Sequence, residues 1–281
     1  MPAPEIVVRE FKDLINRPID SKKYDYGHLL IVGGSRQYTG AIIFNALAAY
    51  IGGIDLVTIA APKRAADIAA AYAPDIIAVP IDCDYLSDSQ YNTIRPLVEK
   101  KVSTLLVGSG MGRKKKTFDL VKKLHENLTN IPFIFDADAL YCVHELKLRE
   151  YDLLIPNIRE FGVLSKGEMP NKKTVEELAC KLGCTILAKG STDYVASPGK
   201  LTKDVPDKSK KSVYLAKGGT GDLLAGLCAS FIGQGIPVYD SALLGARVMK
   251  SAGILIGKDK GPFYLPSELL GYVQQVLVKE M

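Results

Sequence analysis

Residues 216–226 carry the sequence Ala-Lys-Gly-Gly-Thr-Gly-Asp-Leu-Leu-Ala-Gly, in which four small residues precede Asp222 and an apolar, helix-like pattern follows it. Glycines let the backbone approach a ligand closely, and the amide groups at a helix start carry partial positive charge that suits a phosphate. The pattern therefore predicts a helix start that binds an anion, with Asp222 in its first turn. A carboxylate there is either a partner of the helix dipole or a base acting on a hydroxyl beside a phosphoryl group.

The composition is that of a folded protein with a large core. Of the 281 residues 47% are hydrophobic, which is enough for one large α/β domain or two small ones. The net charge is +5, and the lysines are not interleaved with aromatic residues, so no nucleic-acid partner is expected. The densest basic run, residues 113–116, precedes a predicted helix and is expected to be solvated. A small positive surplus also steers anionic small molecules toward a protein.

The cysteines and histidines predict neither disulfides nor a zinc site. The five cysteines include no CxxC pair, and no histidine is near enough in sequence to complete a zinc set. Reduced thiols favour the cytoplasm, and the absence of a leader or of a long apolar run predicts no membrane partner. His28 begins a predicted buried strand, whereas His125 and His144 fall on helical faces that are expected to be exposed.

Short apolar runs alternate with amphipathic stretches along almost the whole chain. Runs that are apolar throughout are typical of strands covered on both faces. We therefore predict an α/β fold, with a single doubly wound, mostly parallel sheet flanked by helices, as one domain over residues 1–281. The predicted strands are 29–32, 56–60, 76–79, 105–107, 133–135, 153–155 and 186–188. The predicted helices are 41–51, 64–72, 88–100, 117–127, 139–147, 174–182, 223–233, 241–256 and 267–279.

The lysine-rich segment 198–212 interrupts this alternation just upstream of the glycine cluster. It follows a β-like run at 192–196, so a hairpin that ends in a mobile loop is one interpretation. A surface linker without function is the other. Loops beside strand ends are where α/β proteins hold their ligands.

Five predicted strands are followed by glycine-rich or charged clusters, at 33–41, 108–112, 136–138, 156–160 and 189–193. Taken alone, each cluster has an ordinary explanation, because Asp138 suits a helix cap and Asn157 with Glu160 suits a capping box. Lys189 ends a strand where a positive charge would meet a phosphate. No Walker A sequence is present, so a P-loop fold is not expected. All five clusters fall at one edge of one sheet, which predicts a ligand site there.

With these clusters, the chain resembles the ribokinase-like superfamily and, more narrowly, the ADP/ATP-dependent NAD(P)H-hydrate dehydratases, which repair hydrated nicotinamide cofactors. The resemblance spans residues 24–233, and its most specific motif is Gly-Gly-Thr-Gly-Asp-Leu-Leu-Ala-Gly at 218–226. The other matching motifs lie at 26–35, 39–41, 108–112, 135–140 and 189–193.

The resemblance implies that ADP or ATP drives the loss of water from hydrated NADH or NADPH, with Mg²⁺ bridging the nucleotide phosphates. It implies that Asp222 accepts the proton of the substrate hydroxyl as that oxygen attacks the terminal phosphoryl group. Amides at Gly219, Thr220 and Gly221 would form the anion hole. The same resemblance implies that the substrate is bound by Ala41, Gly110, Asn157 and Asp222. It implies that the nucleotide is bound by Lys189, Gly190, Ser191, Thr192, Asp193 and Gly221. The residues that it places near magnesium, directly or through water, are Asp138 and Glu160.

One departure from the family keeps a second function open. Residues 157–160 read Asn-Ile-Arg-Glu where these dehydratases usually carry His-Pro-Gly-Glu, and Asn-x-x-Glu is typical of the superfamily's sugar and vitamin kinases. The alternative function is therefore a kinase for a small alcohol, such as a vitamin precursor or a sugar, with Asp222 again as base. The glycine-rich loop at 33–41 favours the dehydratase. A silent nucleotide-binding regulator is disfavoured by the intact motif at 218–226, and the resemblance implies a homo-oligomer.

Overall fold

A computed structural model of the protein describes residues 10–99, 101–207 and 215–279. The strands in these residues are β1 His28–Val32, β2 Leu56–Pro62, β3 Ile77–Ile81, β4 Thr104–Val107, β5 Phe133–Phe135, β6 Leu153–Leu154, β7 Thr185–Ala188, β8 Thr192–Ala196 and β9 Lys203–Pro206. They form one sheet in the order β3-β2-β1-β4-β5-β6-β7-β8-β9. The pairs from β3 to β7 are parallel, and β8 and β9 are added antiparallel.

Helices cover both faces of the sheet. The helices are α1 Phe11–Ile15, α2 Ala41–Ile51, α3 Lys63–Tyr72, α4 Tyr91–Val98, α5 Lys115–Asn127, α6 Ile158–Leu164, α7 Lys172–Leu182, α8 Thr220–Gly233, α9 Val238–Asp259 and α10 Leu269–Lys279. One buried core joins the sheet to α1, α2, α3, α8, α9 and α10, and a second core joins it to α4, α5, α6 and α7. The predicted doubly wound, mostly parallel α/β sheet is confirmed.

Strand β1 illustrates why the apolar runs identified the strands. Its side chains alternate between the two cores, with Leu29 and Ile31 in the first and Leu30 and Val32 in the second. Because successive strand residues point to opposite faces, a strand covered on both sides must be apolar at every position.

Two helix predictions need correction. The predicted helix at 139–147 is wrong, because the chain instead forms two short 3₁₀ turns, Ala137–Tyr141 and Val143–Glu145. This segment packs closely on the loop after β4, where a Cβ on Gly108 would lie 1.9 Å from the carbonyl oxygen of Asp136. The predicted helix at 88–100 is divided into a 3₁₀ turn, Asp88–Gln90, and α4, and residue 100 lies outside the described residues.

The hairpin interpretation is confirmed for the described part of the lysine-rich segment, because β8 pairs with β9 in antiparallel register. Residues 208–212 of that segment lie outside the described residues. None of the helices in the described ranges combines the length and the apolar character needed to cross a bilayer.

The prediction of an exposed His125 is wrong. Its side chain is buried, its Nε2 lies 2.7 Å from Oδ2 of Asp152, and its ring packs edge-on against Phe133. Asp152, which directly precedes β6, gives the buried imidazole a hydrogen-bond partner and so offsets the cost of burying this polar ring. His28 is buried and His144 is exposed, as predicted.

Helix α8 is fixed against α2 by an unusually close backbone contact. A Cβ on Gly226 would lie 2.1 Å from the carbonyl oxygen of Asn45, so only glycine fits there. The side-chain amide of Asn45 also donates a hydrogen bond to the carbonyl oxygen of Asp222 at 2.8 Å. The start of α8 therefore has a fixed position relative to the sheet.

We predict that Gly226→Ala destabilises the protein by about 2–3 kcal/mol, because the added methyl group forces α8 away from α2. Gly271→Ala is the matched control, since Gly271 is an exposed residue of α10 and a Cβ there meets no atom within 4 Å. The control should gain about 0.5–1 kcal/mol from helix propensity. Urea unfolding of both variants gives the two values, and equal stability of the variants would contradict the close contact.

Candidate active site

The first turn of α8 presents free amide groups beside a glycine that no other residue could replace. Gly219 precedes the helix with a φ of 98°, and a Cβ there would lie 2.6 Å from the ring of Phe44. The amides of Gly221 and Asp222 have no hydrogen-bond acceptor in the described part of the chain. Such amides, at the positive end of a helix, bind anions.

Thr220 differs from its neighbours in the predicted anion hole. Its N–H group lies 3.3 Å from the carbonyl oxygen of Lys217, and its hydroxyl donates to the carbonyl oxygens of Leu215 and Lys217. Thr220 thus shapes the turn that leads into α8, whereas the amides of Gly219 and Gly221 have no acceptor among the described residues.

The carboxylate of Asp222 is mostly enclosed and lies in an acidic environment. Burial is the largest effect and raises the pKa of Asp222, and the charge of Asp136 raises it further, to about 7. Glu160 acts in the same direction, whereas Lys189 and the hydroxyl of Ser109 lower this pKa. A carboxylate with a pKa near neutrality is suited to act as a general base at physiological pH.

One ammonium group balances this acidic cluster. Nζ of Lys189 lies 2.8 Å from Oδ1 of Asp136 in a nearly buried ion pair. Burial lowers the pKa of Lys189, but the charges of Asp136, Glu160 and Asp222 together raise it above its ordinary value. A Cβ on Gly221 would lie 3.3 Å from the same Nζ, so the ammonium lies directly beside the first turn of α8.

Asn157 and Glu160 form a capping box at the start of α6. Oδ1 of Asn157 accepts hydrogen bonds from the N–H groups of Arg159 at 2.9 Å and Glu160 at 3.0 Å, and the Asn157 N–H donates to Glu160 at 2.8 Å. Burial raises the pKa of Glu160. The Asn-x-x-Glu pattern therefore has a local structural cause, and it does not by itself favour a kinase.

Asp138 lies apart from this cluster in an ion pair of its own. Its Oδ1 accepts a hydrogen bond from Arg113 at 2.8 Å, and its Oδ2 accepts one from the Gly112 N–H at 2.9 Å. The guanidinium of Arg113 stacks over the ring of Tyr141 at 3.7 Å. The sequence position of Asp138 suggested a helix cap, but its carboxylate does not cap the following turn. Arg113, the first residue of the basic run 113–116, is partly exposed and also forms this ion pair.

A cavity of about 1150 Å³ opens beside the start of α8. All six residues predicted to bind the nucleotide line it, together with Asn157 and Thr220. The carboxylate of Asp193 accepts a hydrogen bond from the Gly190 N–H at 2.9 Å and forms an ion pair with Nζ of Lys250 at 3.2 Å, so it holds the turn between β7 and β8 in shape. Burial raises the pKa of Asp193, and Lys250 counteracts that rise.

The two remaining predicted substrate residues, Ala41 and Gly110, lie close to each other. Gly110 has a φ of 66°, and a Cβ there would lie 2.9 Å from Cβ of Tyr38 and 3.6 Å from Cβ of Ala41. The loop that carries Gly110 is tied to the loop after β1, because the Gly34 N–H donates to the carbonyl oxygen of Ser109 at 2.8 Å. Helix α2, which begins at Ala41, also carries Asn45, whose amide donates to the carbonyl oxygen of Asp222 at 2.8 Å, so these loops lie near the first turn of α8.

The sequence did not identify four residues that build this site, which are Asn45, Ser109, Asp136 and Lys250. Asp136 had a detectable signal, since it ends a buried strand next to Asp138. Lys250 is a single lysine in an otherwise apolar stretch of α9, which is also a usable signal. Ser109 lies in the predicted glycine cluster at 108–112, but nothing in the sequence distinguished it there, and no pattern indicated a role for Asn45.

This chain is similar to known proteins over most of its length. The family model for NAD(P)H-hydrate dehydratase matches residues 29–275. The chain is 33% identical over 267 residues to the bifunctional NAD(P)H-hydrate repair enzyme of Pyrobaculum aerophilum, covering 93% of this chain and 52% of that protein. It therefore spans about half the length of that relative. This chain is also 30% identical over 275 residues to the ADP-dependent (S)-NAD(P)H-hydrate dehydratase of Nitrosopumilus maritimus. That match covers 95% of this chain and 93% of the relative.

A solved structure shares the fold. The ADP/ATP-dependent NAD(P)H-hydrate dehydratase of Bacillus subtilis, co-crystallised with ATP and Mg²⁺, superposes with a TM-score of 0.76 and 21% identity, covering 99% of this chain and all of that one. At that identity the likeness concerns the fold alone. The family model and the two relatives decide the classification, and the chain belongs to the NAD(P)H-hydrate dehydratase family.

Proposed function

We propose that this chain uses ADP or ATP to dehydrate hydrated NADH or NADPH and so restores the reduced cofactor. The observation that carries the proposal is Asp222, whose pKa is raised to about 7 at the amide-lined start of α8. Its neighbours Thr220 and Gly221 line a cavity large enough for a nucleotide, and Asn45 of α2, the helix that begins at Ala41, contacts its carbonyl oxygen. Membership of the family indicates the class of substrate.

In the proposed reaction, Asp222 acts first, as a general base. Its ionised carboxylate accepts the proton of the substrate hydroxyl while the hydroxyl oxygen forms a bond to the terminal phosphorus of the nucleotide. The bond from that phosphorus to the bridging oxygen breaks, and the shortened nucleotide leaves with the electron pair. The C–O bond of the resulting phosphate ester then breaks, inorganic phosphate leaves, and loss of a proton from the adjacent carbon restores the ring double bond.

The surroundings of Asp222 are suited to stabilise the charge that moves during this transfer. The free amides of Gly221 and Asp222 point out of the positive end of α8, where they would donate to the phosphoryl oxygens. The ammonium of Lys189 lies beside them and would attract the same phosphates. Residues Gly190 to Asp193, at the edge of the cavity, would contact the rest of the nucleotide.

The donor set fits a magnesium ion held mainly by phosphates and water. No group of three His, Cys, Asp or Glu side chains suited to a metal occurs in the described ranges, but Mg²⁺ in such sites needs only one or two carboxylates. Glu160 would act through water. A role for Asp138 near the ion would require it to share its carboxylate with Arg113 and the Gly112 N–H, which already donate to it. Bound there, the ion would neutralise charge on the nucleotide phosphates.

Three further expectations complete the proposal. The five cysteines are free, as suits a protein of the reducing cytoplasm. We propose that residues 1–281 form one domain and that copies of the chain assemble into a homo-oligomer. The kinase alternative is not favoured, because the named relatives are hydrate dehydratases and repair enzymes and the Asn-x-x-Glu pattern is explained by the capping box.

We predict that the protein restores the absorbance of reduced nicotinamide when it receives hydrated NADH, ADP or ATP, and Mg²⁺. Asp222→Asn should lower turnover by roughly 10²–10⁴-fold, because the base is lost, while ADP affinity measured by calorimetry changes little. Asp240→Asn is the matched control, since Asp240 occupies the same position in the first turn of α9 but is exposed. No recovery with either nucleotide, together with phosphorylation of a small alcohol, would overturn the dehydratase proposal.

The acid limb of the pH–rate profile reports on the same carboxylate. We predict that kcat/KM rises with pH through an apparent pKa of about 7, as Asp222 becomes ionised. In Asp136→Asn this limb should shift to lower pH for two reasons. One neighbouring negative charge is removed, and Lys189 loses its ion-pair partner, so its positive charge acts more strongly on Asp222. Asp138→Asn, in the same loop, should leave the limb in place. A limb that does not move in Asp136→Asn contradicts the assignment.

The raised pKa of Asp222 also implies a cost in stability. The folded protein binds the proton of Asp222 more tightly than the unfolded chain, in which the pKa is near 3.8, so stability falls as pH rises between these values. We predict that Asp222→Asn is more stable than the wild type at about pH 8, by on the order of 1–3 kcal/mol after allowance for solvent screening. Near pH 4 the difference should vanish. Urea unfolding at both pH values measures this, and a variant less stable at the higher pH refutes it.

A further inference from the structure

Lys250 is a buried lysine in α9, a helix that packs against β7 and β8. The residue is 6% exposed, and its side chain reaches the turn between those two strands. A buried ammonium group gives up its hydration, and replacing a buried ion pair by apolar side chains is often neutral or stabilising. Stability alone therefore does not call for a lysine here, and the reason for it lies in the atoms that it contacts.

All the polar contacts of this ammonium group lie in a single turn. Nζ of Lys250 donates to the carbonyl oxygens of Gly190 at 2.6 Å and Ser191 at 3.2 Å, and it lies 3.2 Å from Oδ1 of Asp193. The same Oδ1 accepts the Gly190 N–H at 2.9 Å. An ammonium group has three donors and no acceptor, so these three contacts match its capacity.

These contacts decide which way two peptide groups of the turn face. The peptide bonds of the described residues are all trans, so each N–H points opposite to the carbonyl oxygen of the preceding residue. The carbonyl oxygens of Gly190 and Ser191 point at Lys250. The N–H groups of the same two peptides, which belong to Ser191 and Thr192, therefore point away from it. The Ser191 N–H has no acceptor among the described residues, and Ser191 lines the cavity beside α8.

We propose that Lys250 is a positioning residue for the nucleotide. Its ammonium group holds the turn 190–193 in one arrangement and so presents the Ser191 N–H to an acceptor atom of the bound nucleotide. The inference rests on the proposed binding of ADP or ATP in this cavity. The ammonium group contacts neither the nucleotide nor the reacting atoms, because the turn uses all its donors, so Lys250 acts on nucleotide affinity and not on the chemical step.

The test compares the wild type with the double variant Lys250→Met/Asp193→Asn. The two changes remove both charges, so no lone carboxylate stays buried, and the side chain introduced at 193 keeps an oxygen that accepts the Gly190 N–H. The urea midpoint should equal or exceed that of the wild type. ADP affinity, measured by calorimetry, should fall about tenfold, because the turn is no longer held in one arrangement. In active protein, KM for the nucleotide should rise while kcat is unchanged.

Two further variants isolate the ammonium group. Lys258→Met is the matched control, because Lys258 lies on the same helix, carries the same charge and is exposed, and it should leave ADP affinity unchanged. Asp193→Asn alone should lose less affinity than the double variant, because Lys250 still contacts both carbonyl oxygens.

A free ammonium compound should replace the missing group. Lys250→Ala leaves space for a short alkyl chain, so propylammonium should restore part of its ADP affinity, whereas neutral propan-1-ol of similar size should not. This comparison decides the question even if the double variant does not fold, since equal ADP affinity with the two compounds overturns the inference.

Failure of the inference is distinguishable from failure of the proposed function. A wild type that binds ADP as tightly as the double variant does overturns the inference alone. A wild type that does not bind ADP overturns the proposed function and the inference with it.

Discussion

The ammonium group of Lys189 lies among three carboxylates that arrive on three different elements. Asp136 follows β5, Glu160 lies in α6, and Asp222 lies in the first turn of α8, so the cluster exists only because parallel strands end at one edge of the sheet. One positive charge cannot neutralise three negative ones in a poorly solvated space. Asp136 forms the ion pair at 2.8 Å, and Asp222 is left with a raised pKa.

The magnitudes explain why burial prevails over the helix dipole at Asp222. The positive end of a helix stabilises a carboxylate by about 0.3–1 kcal/mol, which lowers its pKa. The rise from 3.8 to about 7 corresponds to roughly 4 kcal/mol, an upper bound for a side chain that keeps some contact with solvent. Gly226 allows α8 to pack close to α2, and the hydrogen bond from the Asn45 amide to the Asp222 carbonyl oxygen favours this close position. The pKa of Asp222 thus lies near neutrality, as the proposed general base requires.

The sequence predicted the sheet well because every strand buried on both faces must be apolar, which leaves a strong pattern. The helix predicted at residues 139–147 was wrong. The chain there packs closely against Gly108 and forms two short 3₁₀ turns instead of an amphipathic helix. The sequence prediction also failed at His125, because the compensating Asp152 lies 27 residues away and no local pattern connects them. Burial of a polar side chain depends on partners from distant segments, and those partners are visible only once the chain is folded.

The same limit applies to the site. Asp222 and the cavity-lining residues lie in glycine-rich loops at strand ends, which short motifs reveal. Asp136 and Ser109, which adjust the pKa of Asp222, lie in such loops as well, but they act through distance and burial, and neither quantity is written in a motif. Sequence therefore indicated which carboxylate to propose as the base, and the structure supplied the reason that its pKa is raised to about 7.

The most direct measurement is a crystal structure of Asp222→Asn with hydrated NADH and a non-transferable ATP analogue bound together. We expect the substrate hydroxyl within hydrogen-bond distance of the residue 222 side chain, about 3 Å, with the terminal phosphate at the amides of Gly221 and residue 222. A hydroxyl placed against another side chain, or a terminal phosphate bound away from the start of α8, would contradict this expectation.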